Sequence, residues 1–261
     1  MNTLRADMGS LEYAHARIWA RWGLQPDGMA WRRIETTRDL AAVLELARAS
    51  ALARWLPGVS ADTGLHGIES VLRRRWRECV REVARWMALQ WQPAIDWCAR
   101  LADLAAVQHW ARGGDRAPWL ATDEQLGALD AAAGDVPGHP SAADPAWRNL
   151  LCHAREDPSG VLGSWLQAWR GLLPPGDGRA AIERELVALL TRHAQDFGAP
   201  QSRDGWGQRR VLHARLVALL RRHPVEPLSA FAFLALQALE LERLRAEIIG
   251  RAAFPQRVLH A

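Results

Sequence analysis

The chain has 261 residues, enough for one large domain or two smaller ones, and at 49% apolar and 24% charged residues its composition is that of an ordinary soluble globular protein. A net charge of +4 permits an acidic partner or nucleic acid without demanding one. Three widely spaced cysteines, Cys79, Cys98 and Cys152, with no CxxC pair, argue against a disulfide or zinc framework and for a reducing cytoplasm, and the start MNTLRADMGSLEY lacks the apolar core of a signal peptide.

Helical periodicity dominates the chain and no strand is predicted. Ser10 is read as the N-cap of a first helix whose apolar stripe is Leu11, Ala14, Ile18 and Trp22, stopped by Gly23 before the Pro26-Asp27-Gly28 turn. A short helix over Met29–Ile34 is followed by one capped near Thr37 and carrying Leu40, Val43, Leu44 and Ala47, ended by Pro57-Gly58. The longest helix is predicted from Leu65 to Trp91, because Leu65, Ile68, Leu72, Trp76, Cys79, Val83 and Trp86 step by three or four. Pro93 restarts the chain, and Ile95 to Arg112 gives one helix or two before Gly113-Gly114.

Thr122 and Gln125 read as a capping box, and Gly134 to Ala143 as a linker, dividing the chain into helical modules at 1–133 and 144–261 that can also pack as one domain. Asp144-Pro145 and Asp157-Pro158 each place a capping residue before a proline and so each open a helix, the second with Leu162, Trp165, Leu166 and Trp169. Further helices are expected over Ala180–Gln195 and Arg209–Arg222, with a glycine-rich loop from Gly198 to Gly207 between them. LVALLTRH at Leu186–His193 recurs as LVALLRRH at Leu216–His223, marking either two helices with equivalent packing roles or a coincidence in a leucine- and arginine-rich chain.

The last helix, Leu228 to Gly250, changes character halfway. Leu228 to Leu239 is apolar on all sides apart from Ser229 and Gln237, which places it inside other helices. It is too short and ends in too many charges to span a membrane. From Glu240 on it is amphipathic, and the pairs Glu240–Arg243, Glu242–Arg245 and Glu247–Arg251 are expected to lace an emerging, charged end.

No phosphate loop, GxGxxG, HExxH or GxSxG motif is present, so no cofactor, metal or catalytic residue is assigned and a non-catalytic role is favoured. Cys152-His153 has no further ligand at finger-like spacing and reads as a buried Cys beside a surface His. All 33 basic residues are arginine, and the 14 tryptophans outnumber the four phenylalanines and the single Tyr13. GC-rich codon usage accounts for both, and both residue types also favour interfaces. Arg73, Arg74, Arg75, Arg77, Arg81 and Arg85 crowd the polar face of the long helix against Glu69, Glu78 and Glu82. That face is either simply solvated or a docking surface, for which Arg73, Arg74, Arg77 and Arg81 are the candidate partner-binding residues.

Two end motifs carry a family resemblance. LEYAHARIWA, through Tyr13, Ala16 and Arg17, resembles the opening Tyr-x-x-Ala-Arg helix of the C/d-type central-stalk family of V/A-type ATPases, found in archaeal-type and vacuolar enzymes. The final helix resembles the family's closing pattern through Glu240, Leu241, Leu244 and Arg245, with Arg243 where the family often has asparagine. IESVLRRRW and LADLAAVQHWARG are loosely similar to the family's internal repeats, and the chain is shorter than full-length members. The resemblance implies an all-α protein of bundle modules pseudo-repeated around a funnel. It implies a non-catalytic connector between the rotating axle and the membrane rotor ring, working on the cytoplasmic face without nucleic acid. A helical adaptor for another protein and a basic nucleic-acid-binding module are the alternatives.

Overall fold

The computed structural model describes residues 2–114, 123, 145–198 and 204–254. Among these every regular element is helical and no strand occurs, so the protein is an all-α, multi-helix fold. The predicted capping box and the predicted linker at 134–143 lie outside the described residues. By contact, the chain forms two compact units, one of residues 1–96 with 174–261 and the other of residues 97–173, a grouping unlike a linear cut near the linker.

The first unit begins with α1 (Asn2–Trp22), which buries Ala14 and Ile18 of the expected stripe. Ser10 lies inside this helix and is not its cap, because the preceding Leu4, Arg5, Ala6 and Met8 are themselves good helix formers. Asp27 caps α2 (Gly28–Thr36) by accepting from the Ala30 N–H at 2.7 Å. The cap of α3 (Leu40–Arg48) is Asp39, which accepts from the Ala42 N–H at 2.8 Å. Thr37, the expected cap, instead closes α2, its hydroxyl donating to the Arg33 carbonyl at 2.7 Å. A short 3₁₀ turn over Ala51–Trp55 follows.

The long helix α4 covers Leu65–Trp86 and stops five residues before the predicted Trp91. Pro93 lacks an N–H and its ring would collide with the carbonyl four residues earlier, so the helix cannot run through Leu89. Met87 turns extended, and the Gln92 side chain donates to its carbonyl at 3.0 Å. Leu89–Trp91 forms a 3₁₀ turn and Gln92–Trp97 forms α5.

In the second unit, a 3₁₀ segment Cys98–Asp103 leads into α6 (Leu104–Ala111), followed by α7 (Pro145–Glu156) and α8 (Val161–Leu172). Asp157 does not open α8. Its carboxylate accepts from the Ser159 N–H at 2.9 Å, which forms a local turn and delays the helix to Val161 behind Gly160. This unit is organised by tryptophans: Trp165 stacks on Trp169 with centroids 6.1 Å apart, Trp97 meets Trp147 edge-on at 6.3 Å, and the Trp97 indole donates to the Trp165 carbonyl at 3.1 Å.

Residues 177–198 of the first unit form α9 (Asp177–Ala181), a π-turn at Ile182–Val187 and α10 (Ala188–Gly198). The π-turn holds Glu185, whose carboxylate receives Arg222 at 3.2 Å and His223 at 3.0 Å. Asp204 caps α11 (Gly205–Arg222). In the eight-residue echo Leu186 and Leu216 are both buried, but Leu189 and Leu190 are half-exposed where Leu219 and Leu220 are buried. The two copies therefore pack only partly alike.

The last helix, α12 (Pro227–Ala253), is the hub of the first unit and packs on α11, α4, α1, α3 and the π-turn. Leu228, Phe231, Phe233, Leu234 and Leu236 are buried, as the all-round apolar run predicts. The charged half does not simply emerge. Glu240 is 8% exposed and, instead of meeting Arg243, takes Arg54 and the Trp55 indole, the latter at 2.8 Å. Arg243 turns to Glu35 at 2.6 Å, stacking its guanidinium 4.2 Å over Trp31. The other two expected pairs form, Arg251–Glu247 at 2.6 Å and Arg245–Glu242 at 3.7 Å.

Candidate functional site

The arginines of α4 divide between different surroundings. Arg74, Arg81 and Arg85 are exposed, Arg73 and Arg75 are half-buried, and Arg77 is only 6% exposed. Arg77 therefore does not belong to a solvated docking face. Its position shares the helical stripe of Val80 and Ala84, which draws its side chain inward. Arg81 donates to the Arg77 carbonyl at 3.3 Å.

Arg75, Glu78, Cys79, Glu82, Arg85 and Trp86 recur at three- and four-residue steps and line one side of a cleft of about 320 Å³. The opposite lining comes from Arg21 of α1, Arg54 and Trp55 of the 3₁₀ turn, and Phe233 and Gln237 of α12. Arg21 pairs with Glu82, Arg75 with Glu78, and Arg54 with both Glu240 and the Gln237 carbonyl oxygen. Arg17 stands 3.9 Å from Glu82 and stacks 5.4 Å over Trp86. Gln237 is fully buried, yet its amide nitrogen has no hydrogen-bond acceptor, and neither does the Arg54 Nε. Burial pushes the Cys79 thiol up to about 12, with Arg54 opposing that rise, so this cysteine is a neutral lining group and no nucleophile.

A second cleft, of about 510 Å³, lies between α2, α11 and α12. Trp31, Leu236 and Leu239 give it an apolar lining, while Glu35, Arg209, Arg243 and Glu247 give it mixed charge. Arg54 lines the first cleft and Glu240 the second, so their ion pair stands where the two adjoin.

The four family-like positions fall in one unit. Tyr13 is 53% exposed. Arg17 binds at Glu82 and Trp86 of α4, Arg245 binds Glu69 of α4 at 2.6 Å, and Glu240 is internal. The Glu69 contact raises the Arg245 pKa. Sequence reasoning missed Arg21, Arg54 and Gln237 as companions of Arg75 and Arg85, because they come from three distant segments. Gln237 alone carried a signal, as a polar residue inside an apolar helix.

Cys152 is exposed, contrary to the expectation of a buried cysteine, and the adjacent His153 has its Nδ1 2.7 Å from the Asn149 carbonyl. Among the described residues no group of three or more metal-ligating side chains occurs, and no helix is long and apolar enough to cross a membrane. Comparison of the chain with protein-family models, with curated proteins and with solved structures returns no match.

Proposed function

We propose that the chain is a non-catalytic helical connector of the V/A-type rotary ATPase kind, joining the central axle to the membrane rotor ring at the cytoplasmic face. Its work in that role is mechanical. It transmits torque through contact surfaces and catalyses nothing.

The observation that supports this reading is the convergence of the two resembling segments on one helix. Arg17 and Arg21 of α1 meet Glu82 near the C-terminal end of α4, and Arg245 of α12 meets Glu69 near its start. Motifs at opposite ends of the sequence thus clamp a single three-helix unit. These pairs tie the first and the last helix each to α4. The exposed Tyr13, Arg74 and Arg81 are the residues left to face partners.

Purification of the tagged full-length chain from its native membrane fraction tests the proposal. Co-purification of axle and proteolipid ring components is the expected result. Recovery of the chain alone, from the soluble fraction only, overturns it. Charge reversal at Arg74 and Arg81 should weaken that association without unfolding the protein, because both side chains are exposed. Salt-steep retention of nucleic acid would instead favour the basic nucleic-acid-binding reading.

A further inference from the structure

We infer that the cleft between α1, α4 and α12 is a binding site for a phosphate-type oxyanion. This inference stands on the cleft alone and is independent of the connector role.

The charge count around the cleft is uneven. Five guanidinium groups, Arg17, Arg21, Arg54, Arg75 and Arg85, gather against three carboxylates, Glu78, Glu82 and Glu240, which leaves two positive charges in surplus. Arg17 and Arg21 share Glu82, and Arg85 forms no ion pair among the described residues. Surplus charge of this size, in a cleft lined by Trp55 and Trp86, draws in a dianion.

The hydrogen-bonding groups point the same way. Gln237 is 0% exposed and uses its oxygen on Arg54, leaving its amide NH₂ without an acceptor. The Arg54 and Arg75 Nε groups are buried donors without acceptors as well. Each such donor carries a desolvation penalty while it stays unmet. What these residues share is a demand for lone pairs, and an acceptor-only ligand meets it. A tetrahedral oxyanion supplies several acceptors and suits the planar fork of arginine. A cleft of about 320 Å³ holds such a group with a small organic substituent against the tryptophans.

Alternative roles for the cleft are weaker. A cation is repelled by the surplus, and Cys79, held neutral by burial, offers no covalent chemistry.

The test uses the purified full chain, inorganic phosphate and phenyl phosphate, with sodium chloride at matched ionic strength as the control. Titration calorimetry and thermal-unfolding midpoints should report saturable binding of phosphate beyond the chloride control. Arg85→Ala should weaken it about tenfold or more with the ligand-free midpoint unchanged, because Arg85 is exposed and unpaired. Gln237→Met, which keeps the volume and removes the amide, should also weaken it and serves as the second variant. Tighter binding of phenyl phosphate would assign the site to organic monoesters, and equal binding to the free oxyanion; either supports the inference. A phosphate response equal to that of chloride, or one undiminished in Arg85→Ala, overturns it.

Discussion

Arg54 and Glu240 lie 186 positions apart and form one hydrogen-bonded ion pair, with the Trp55 indole donating to the same carboxylate oxygen. The Glu240 side chain is 7% exposed and that of Arg54 20%, so the pair is largely removed from water. A buried carboxylate is tolerated only with such partners. Removing either member of the ion pair leaves the other hydrogen-bonded only to neutral groups, with its charge uncompensated.

Glu240→Ala is therefore expected to cost about 3 kcal/mol of folding stability, the lower end for breaking a buried pair, since Arg54 keeps some solvent. Urea unfolding followed by tryptophan fluorescence measures it. The double variant Arg54→Met with Glu240→Leu should recover much of the loss, because no charge is then stranded. An unchanged urea midpoint in Glu240→Ala, with partner binding lost, would return Glu240 to the assembly role suggested by its motif position.

Val225 has φ +58, a left-handed conformation that a β-branched residue rarely adopts. It sits just before α12, where its N–H donates to His15 Nδ1 at 3.3 Å. Glycine takes this conformation without the steric penalty, so Val225→Gly should raise stability by about 1 kcal/mol. A higher melting midpoint is the expected reading. A fall of the same size would show that burial of the valine side chain outweighs the strain.

Glu185 is held below the ordinary carboxylate pKa, first by its hydrogen bond with His223 and then by Arg222. Between that lowered value and about 4.5, the unfolded chain binds more protons than the folded one. The contribution of Glu185 is thus full above about pH 4.5 and lost as pH falls through the depressed value. Glu185→Gln should flatten the acid limb of a stability-versus-pH curve in that range.

The three cysteines should differ sharply toward iodoacetamide at pH 8. Cys152 is exposed and Cys98 is buried, while Cys79 is half-buried as a residue and desolvation pushes its thiol up to about 12. Native protein should be alkylated at Cys152 alone, with Cys79 and Cys98 reacting only after unfolding. Peptide mass mapping reads the outcome, and rapid native labelling of Cys79 would contradict the burial of that thiol.

Much of the fold was legible because its signals are local. The steps of Ile68, Leu72, Trp76 and Val83 define α4, and the unbroken apolar run from Leu228 defines a helix covered on all sides, since both follow from the 3.6-residue period alone. Helix boundaries were less secure where several cues competed within a turn. Thr37 and Asp39 both suit an N-cap, and only the backbone N–H of Ala42, within reach of Asp39, decided between them. Asp157 had the right residue type and spent it on a turn with Ser159.

The sequence by itself determined an all-α chain, the apolar faces of its main helices and the presence of a dense arginine row on α4. Only the tertiary structure decided what those arginines do. It turned Arg77 inward, left Arg74 and Arg81 outward, and set Arg75 and Arg85 beside Arg21 and Arg54. It also gave Glu240 to Arg54 in place of its helical neighbour Arg243. Helical periodicity places a side chain on a face of its own helix, and ion pairing is then chosen by whichever opposite charge the packing of α12 brings within reach, a choice made across 186 positions of sequence.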